Sequence, residues 1–378
     1  MRIHETPIRI ACVYVRNGFP DMASMDGIRF LRMAEALARR GYEVDIVLDR
    51  ITQPQLLGPG LREVPLRFTR WDDYDVVKTS FHAGFQLLLS AGGGDHPFII
   101  SKLGSVVGHE ETEGVYFFGS QRQRLFDIQK EIATRSRVVT VLTDRSATLW
   151  RKEHGAGMPL LQVPTGVDAL IPQPGANPYR TFGIKEPVAI LAGNIYHDRD
   201  QPEVNRLWQE RLNRVGGLLK RRGVRLIVIG SGNRNQLDPQ AVAHCGRVEG
   251  PGFWDWLHHA KVGLVLAQGP VQDNESSKIY YYLRAGLPVV CERPIPNARL
   301  IETTKMGALV DYDDLEALAE SAARLAFSPP TNDGVAEYMA RYHSWDVRAA
   351  EYEPVLAEAS VLRSSRTATR TNRKLADL

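Results

Sequence analysis

The sequence predicts an α/β protein made of two doubly wound domains in tandem. Three observations predict it. The first is a strand–helix–strand unit near the start. Ile8–Val15 is β-rich, Ile28–Arg40 carries Ile28, Leu31, Ala34, Leu37 and Ala38 at helical spacing, and Val44–Leu48 is a second apolar run. That unit is long enough for a parallel crossover. The second observation is that the same alternation starts again at Val188–Ala192. The third is the stretch between the two series, with Pro172, Pro174, Gly175 and Pro178, which reads as a linker. Two β/α series joined in this way make two sheets.

The elements follow in order. Gly41 stops the first helix, and Arg29, Arg32, Arg39 and Arg40 lie mostly off its apolar stripe. Asp75–Lys78 and Phe98–Ile100 read as strands, Leu125–Ile132 as a helix, Arg137–Leu142 as a strand and Arg145–His154 as a helix. The run Gly92–Gly94 reads as a flexible loop. In the second series, helix Val204–Arg222 leads to strand Val224–Ile229, which ends in Gly230, Ser231 and Gly232. Helix Gly252–His259 and strand Val262–Leu266 come next. Helix Ser277–Ala285 stops at Gly286 before strand Pro288–Cys291; strand Ala308–Val310 and helix Leu315–Ala326 complete the series. The domains are expected at 1–170 and 185–343. A final helix near 346–360 is expected to return to the first, followed by a disordered basic tail over 361–378.

Composition narrows the function. The chain has 378 residues, 43% hydrophobic and 24% charged, a globular mix that suits two domains. Its net charge is +3, but Arg363, Arg366, Arg370, Arg373 and Lys374 crowd the tail against Asp377 alone. The folded body is therefore not basic, which argues against a nucleic-acid partner. Cys12, Cys245 and Cys291 are odd in number and far apart, so neither a disulfide framework nor a structural zinc site is expected, and a cytoplasmic location is. No apolar run is long enough to span a membrane, and the N-terminus lacks the apolar core of a signal peptide.

The most informative stretch is Asp273–Val290, DNESSKIYYYLRAGLPVV. Ser276 or Ser277 suits a helix N-cap, Gly286 suits the position after the helix, and Pro288 cannot continue it. The helix thus begins with Ser-Ser-Lys. Helix N-termini bind phosphate through unbonded N–H groups and the macrodipole, and Lys278 adds a full charge; an ordinary capped helix with a solvated lysine is the alternative. Other features are weak. Asp-x-Asp occurs at Asp73–Asp75, Asp198–Asp200 and Asp311–Asp313, three unrelated contexts for a motif that elsewhere binds metal. His258 and His259 lack any accompanying ligand pattern, and Phe253, Trp254 and Trp256 read as core.

The 273–290 segment resembles the donor-site helix of GT-B glycosyltransferases, in the GT4-like group. Ile28–Val44, Val163–Asp168 (VPTGVD), Leu226–Gly232 (LIVIGSG) and Ala308–Ala319 resemble four further segments of that family, in the same order. The likeness runs from about Ile8 to Tyr352 and extends to the glucuronosyltransferases of exopolysaccharide synthesis. It implies a GT-B architecture: two Rossmann-like domains, an interdomain cleft and a C-terminal crossover helix. It also implies donor contacts from Gly193, Asn194, Arg199, Gly230, Ser231, Gly232, Asp273, Glu275, Ser276, Ser277, Lys278 and Tyr281. The family places two glutamates where this chain has Asp273 and Tyr281, and an Arg and a Lys where it has Asn194 and Arg199. An arginine can replace lysine against pyrophosphate, whereas Asn194 carries no charge.

The family's histidine after the fourth strand of the first domain has no match in Ile99–Ser105. His109, Glu110, Glu111 and Glu113 supply acid/base groups nearby, and the catalytic candidates are His109, Glu110 and Glu111. Asn17, Gly18, Asp26 and Gly27 form the expected acceptor-side loop. The resemblance implies transfer of a sugar from a nucleotide diphosphate, UDP above others, to a hydroxyl of a glycan or lipid-linked glycan, with neither metal nor cofactor. Retention is favoured over inversion, and the setting is polysaccharide, glycolipid or glycoconjugate synthesis. An anionic membrane surface, through the basic tail, is a further expected partner. The alternatives are a non-catalytic sugar-nucleotide-binding protein and a sugar-nucleotide epimerase of the same architecture.

Overall fold

The computed structural model describes residues 7–15, 25–109, 119–193, 195, 202–232, 234–248 and 250–363. The chain divides into two units. One takes Asp26–Pro164, the opening strand and the segment from Trp345 onward; the other takes Thr165–Ser344.

In the first unit the chain runs β1 (Arg9–Val13), α1 (Met25–Arg39), β2 (Glu43–Leu48), β3 (Gln55–Gly58), β4 (Leu61–Pro65), β5 (Val76–Ser80), α2 (Phe81–Ser90), β6 (Ile99–Lys102), α3 (Gly119–Arg135), β7 (Val138–Val141), α4 (Asp144–His154) and β8 (Leu160–Gln162). The strands form one sheet in the order β3-β4-β2-β1-β5-β6-β7-β8. The pairings are parallel except that β3 runs against β4. Helices on both faces explain why the central strands are unbroken apolar runs: Ile10, Ala11, Cys12 and Val13 are all buried. Helix α1 turns a broader face inward than its stripe predicts. Phe30, Met33 and Ala36 join Leu31, Ala34 and Leu37 in the core, while Ile28 and Ala38 are half-buried. Gly92–Gly94 is packed rather than loose, since a Cβ on Gly93 would stand 2.2 Å from Leu88 and 2.8 Å from the Trp71 ring.

The second unit runs β9 (Val188–Ala192), α5 (Pro202–Arg221), β10 (Arg225–Ile229), β11 (Val242–His244), α6 (Gly252–His259), β12 (Val262–Val265), α7 (Ser277–Arg284), β13 (Val289–Glu292), α8 (Arg299–Thr304), β14 (Gly307–Val310), α9 (Leu315–Phe327) and α10 (Val335–His343). Its sheet has the order β11-β10-β9-β12-β13-β14, with every pairing parallel. The apolar faces of α5 and α9 pack on it around Leu212, Val215, Leu219, Leu318 and Ala322. The Pro- and Gly-rich stretch is not a loose linker. Gly175 N–H donates to Asp255 at 2.7 Å, His259 Nε2 donates to the Gly175 carbonyl at 2.9 Å, and the Tyr179 hydroxyl donates to the Trp256 carbonyl at 2.6 Å. All three partners lie on α6.

The chain leaves the second unit at its two ends, and those ends lie side by side. Val167 and Ser344 form a parallel bridge, and Val167 N–H donates to the His343 carbonyl at 2.9 Å. Beyond it, α11 (Trp345–Ala350) and a helix over 353–363 lie on the first unit. Arg39 pairs with Asp346 at 2.9 Å, Arg40 with Glu353 and Arg137 with Glu358, while the buried Tyr352 ring receives the Lys78 ammonium at 5.4 Å. The single helix expected near 346–360 is broken at 351–352. Pro354 then sits in the first turn of the second piece, where its missing N–H costs nothing.

Candidate functional site

Ligands of parallel α/β sheets bind outside the carboxyl ends of the strands, where the strand order reverses. In the second unit that point lies between β9 and β12. The two strands part there. They pair at Ala189–Val262 and Ile190–Gly263, and the N–H of Ala192 donates instead to the Tyr282 hydroxyl at 2.8 Å. Tyr282 belongs to α7 and is fully buried. Gly263 admits it, because a Cβ there would stand 2.2 Å from the ring. Helix α7 is thereby seated beside the opening, with its N-terminus at the carboxyl edge of the sheet.

The start of α7 is held from both sides. Ser276 occupies the N-cap position in extended conformation, but its side chain makes no capping bond, contrary to the expected serine cap. Asn297 holds it instead: its Oδ1 accepts the Ser276 N–H at 2.8 Å and its Nδ2 donates to the Ser276 carbonyl at 2.9 Å. Glu275 is buried, and its carboxylate accepts the N–H of Thr165 at 2.5 Å and the hydroxyl of Tyr280 at 2.8 Å. Both of these contacts lie within its own unit. Lys278 is half-buried and lies over Gly193, the residue after β9. A Cβ on Gly193 would stand 2.9 Å from Lys278 Cε and 3.3 Å from its ammonium. The absence of a side chain at 193 therefore sets where the lysine lies.

The Gly230–Gly232 turn ends β10 beside Gly193, whose N–H donates to the Ile229 carbonyl at 2.8 Å. Ser231 accepts the N–H of Ile195 at 2.8 Å. Gly232 has φ +129°, and a Cβ there would stand 1.8 Å from the Ile195 carbonyl oxygen, so no other residue fits. Asp273 is half-buried in the loop before α7. Tyr281 is buried against Phe253 and Trp254 of α6, at 5.9 and 5.5 Å between ring centroids. Asn194 and Arg199 lie outside the described residues.

Sequence reasoning missed Asn297 and Glu292. Glu292 ends β13, is fully buried, and binds the N–H of Ala267 at 2.6 Å, the N–H of Asp313 at 2.9 Å and the Arg211 guanidinium. Arg211 also donates to the Ala267 carbonyl at 2.6 Å. Burial pushes the Glu292 carboxyl above its ordinary range, and Arg211 opposes that. The group fixes the ends of β12 and β13 to α5, which steadies one side of the opening.

In the first unit the order reverses between β1 and β5. Phe81 follows β5 at φ +61°, a conformation costly for an aromatic residue. Its ring fills the space at Gly104, where a Cβ would be 2.8 Å away, and carries the Lys102 ammonium 5.3 Å above it. His82 is buried and hydrogen-bonded to Gln129 at 3.3 Å; burial lowers its pKa from 6.5 to about 4. None of these was a sequence candidate. His109 is exposed, with its ring 5.1 Å from Phe126 and its carbonyl held by Arg122 at 3.1 Å. Glu110, Glu111, Glu113, Asn17 and Gly18 lie outside the described residues, as does the Asp26 side chain; Gly27 is buried in α1. Among the described residues no group of three or more His, Cys, Asp or Glu could hold a metal, and no helix is long and apolar enough to cross a membrane. Asp75, Asp311 and Asp313 of the Asp-x-Asp pairs each face an arginine.

Solved structures match nearly the whole chain. Sucrose-phosphate synthase from Thermosynechococcus elongatus does so at a TM-score of 0.70 and 13% identity, over 93% of this chain and 99% of that one. The fold is GT-B. Anabaena HepE, in complex with UDP and glucose, matches at 0.66 and 12% identity over 93% and 100%. A Burkholderia xenovorans trehalose-phosphate synthase, in complex with glucose-6-phosphate, matches at 0.61 and 13% over the same shares. No family model and no curated sequence matches. At these identities the GT-B likeness is one of fold, and the chemistry has to be argued from the residues.

Proposed function

We propose that the chain is a glycosyltransferase that takes a sugar from a UDP-sugar, binds that donor on its second unit, and passes the sugar to a hydroxyl of an acceptor bound on its first. The observation that carries this reading is Lys278 laid over Gly193 at the first turn of α7, beside the strand-order reversal. A diphosphate there meets the positive end of a helix and an ammonium. Transfer leaves one more negative charge on the departing diphosphate. Those groups are already in place to stabilise it, which is the main contribution a protein makes to such a step. Arg199 is assigned to the same phosphates. We favour retention, with the leaving phosphate taking the acceptor proton. UDP and glucose in the HepE structure support UDP as the nucleotide, and glucose-6-phosphate in the trehalose-phosphate synthase structure supports a sugar acceptor.

The test is a thermal-shift screen with UDP-, GDP-, ADP- and TDP-sugars, followed by assay of nucleotide release. A donor that binds the native state raises its melting temperature. Lys278→Ala should abolish nucleotide release from the stabilising donor while leaving the ligand-free melting temperature unchanged. A charge-assisted contact is worth about 1.5–3 kcal/mol in binding. Wild-type turnover by the variant would remove the phosphate role. Binding without any turnover by the wild type would favour a sugar-nucleotide-binding protein, and conversion of the donor without acceptor an epimerase.

A further inference from the structure

We infer that Glu275 is a positioning residue that couples ligand binding at α7 to the segment through which the second unit continues into the first. The inference rests on the reading of α7 as the diphosphate site. Glu275 directly precedes the N-cap residue and is only 7% exposed. Its two oxygens point to different parts of the unit: one accepts the N–H of Thr165 at 2.5 Å, the other the Tyr280 hydroxyl at 2.8 Å. Thr165 is the residue at which the chain enters this unit, and it is 110 positions away in sequence.

Two further contacts of α7 lead to the same place. The Tyr280 ring packs on His343 at 5.7 Å, one residue before the chain leaves the unit again. His343 in turn accepts the N–H of Val167. At the far end of the helix Arg284 donates to the carbonyls of Asp168 at 2.9 Å and Ala169 at 2.6 Å. One short helix is thus tied at its start, its first turn and its end to residues 165–169 and 343. A buried carboxylate needs donors, but helix N–H groups two residues away would have served.

Coupling between two places is reciprocal. If a diphosphate at the first turn of α7 changes how firmly Thr165 is held, then removing the anchor on Thr165 changes diphosphate affinity by the same factor. Glu275→Leu keeps most of the bulk but removes both accepting oxygens, so both bonds fail. Tyr280→Phe removes a single hydroxyl and is the milder second variant, usable if the first does not fold.

The experiment is amide hydrogen exchange over peptides containing Thr165, with and without saturating UDP, together with calorimetric titration of UDP. In the wild type, UDP should slow exchange at Thr165. In Glu275→Leu the slowing should disappear and UDP should bind about tenfold more weakly. Tyr280→Phe should change both in the same direction by less. A purely structural role would lower the melting temperature and leave both readouts alone, which would overturn the inference. So would unaltered exchange at Thr165 in UDP-bound wild type. If the wild type binds none of UDP, GDP, ADP or TDP, the diphosphate reading itself falls, and the coupling with it.

Discussion

Gly193 and Gly232 end neighbouring strands, yet the space around them differs in kind. A methyl group on Gly193 meets the far end of Lys278, a flexible side chain that can give way. Gly193→Ala should therefore leave stability near wild type and move the ammonium, weakening UDP about tenfold, the range of one charge-assisted contact. Thermal melting reads the first effect and calorimetry the second; unchanged affinity would mean that the lysine acts from elsewhere. A methyl group on Gly232 meets a backbone carbonyl at 1.8 Å, at a φ that other residues avoid. Gly232→Ala should cost about 3 kcal/mol or more in urea unfolding, with strain and displaced backbone adding together. Both glycines were legible in the sequence as candidates. Their different roles were not, because a glycine in a sequence does not say what occupies the place of its missing side chain.

Among the elements, those set by periodicity were read well and those set by tertiary context were not. Strand β9 and helix α6 fall at the expected residues, since an apolar run between breakers and an aromatic cluster before a strand are local signals. Helix α2 was missed because Leu87–Leu89 is an unbroken apolar run without helical spacing and Gly84 lies within the segment. Gly84 is in fact required there, as a Cβ would stand 2.8 Å from the Val13 carbonyl. Strands β4 and β11 were missed because each is short, with too few apolar residues to make a run, and gains its place by pairing with β2 and β10. The same limit hid the clamp on α7. Asn297 acts on Ser276 from 21 positions away, and no spacing rule announces it. Asn297→Ala leaves both the N–H and the carbonyl of Ser276 without their partners, so it should cost about 1–3 kcal/mol and loosen the first turn of α7. Urea unfolding and UDP titration together test this; a loss of stability without a loss of affinity would mean that the turn holds its shape unaided.

For the whole molecule the two doubly wound sheets were legible from two alternating series, because the order of strands and helices along a chain leaves few parallel topologies open, and the GT-B arrangement from the resemblance of the 273–290 segment. What the sequence could not supply was the protonation chemistry of the first unit, where burial alone decides. His82 is held neutral in the fold, with its pKa lowered from 6.5 to about 4. The unfolded chain therefore binds the extra proton first as the pH falls. Its neutral form contributes fully above pH 6.5, and stability drains away between 6.5 and about 4, by about 3 kcal/mol for this group alone. Urea unfolding from pH 8 to 4 should show that decline, and His82→Gln should flatten it. An equal slope in both proteins would place the acid sensitivity elsewhere.

The central claim is that the first turn of α7, with Lys278 over Gly193, receives the diphosphate of a nucleotide. The measurement that meets it most directly is calorimetric titration of wild type and Lys278→Ala with UDP, and with uridine as the ligand that lacks phosphate. UDP should bind the wild type far more tightly than uridine does, the variant should lose at least tenfold toward UDP, and uridine binding should be the same in both. Equal UDP affinity in the two proteins, with both correctly folded, would contradict it.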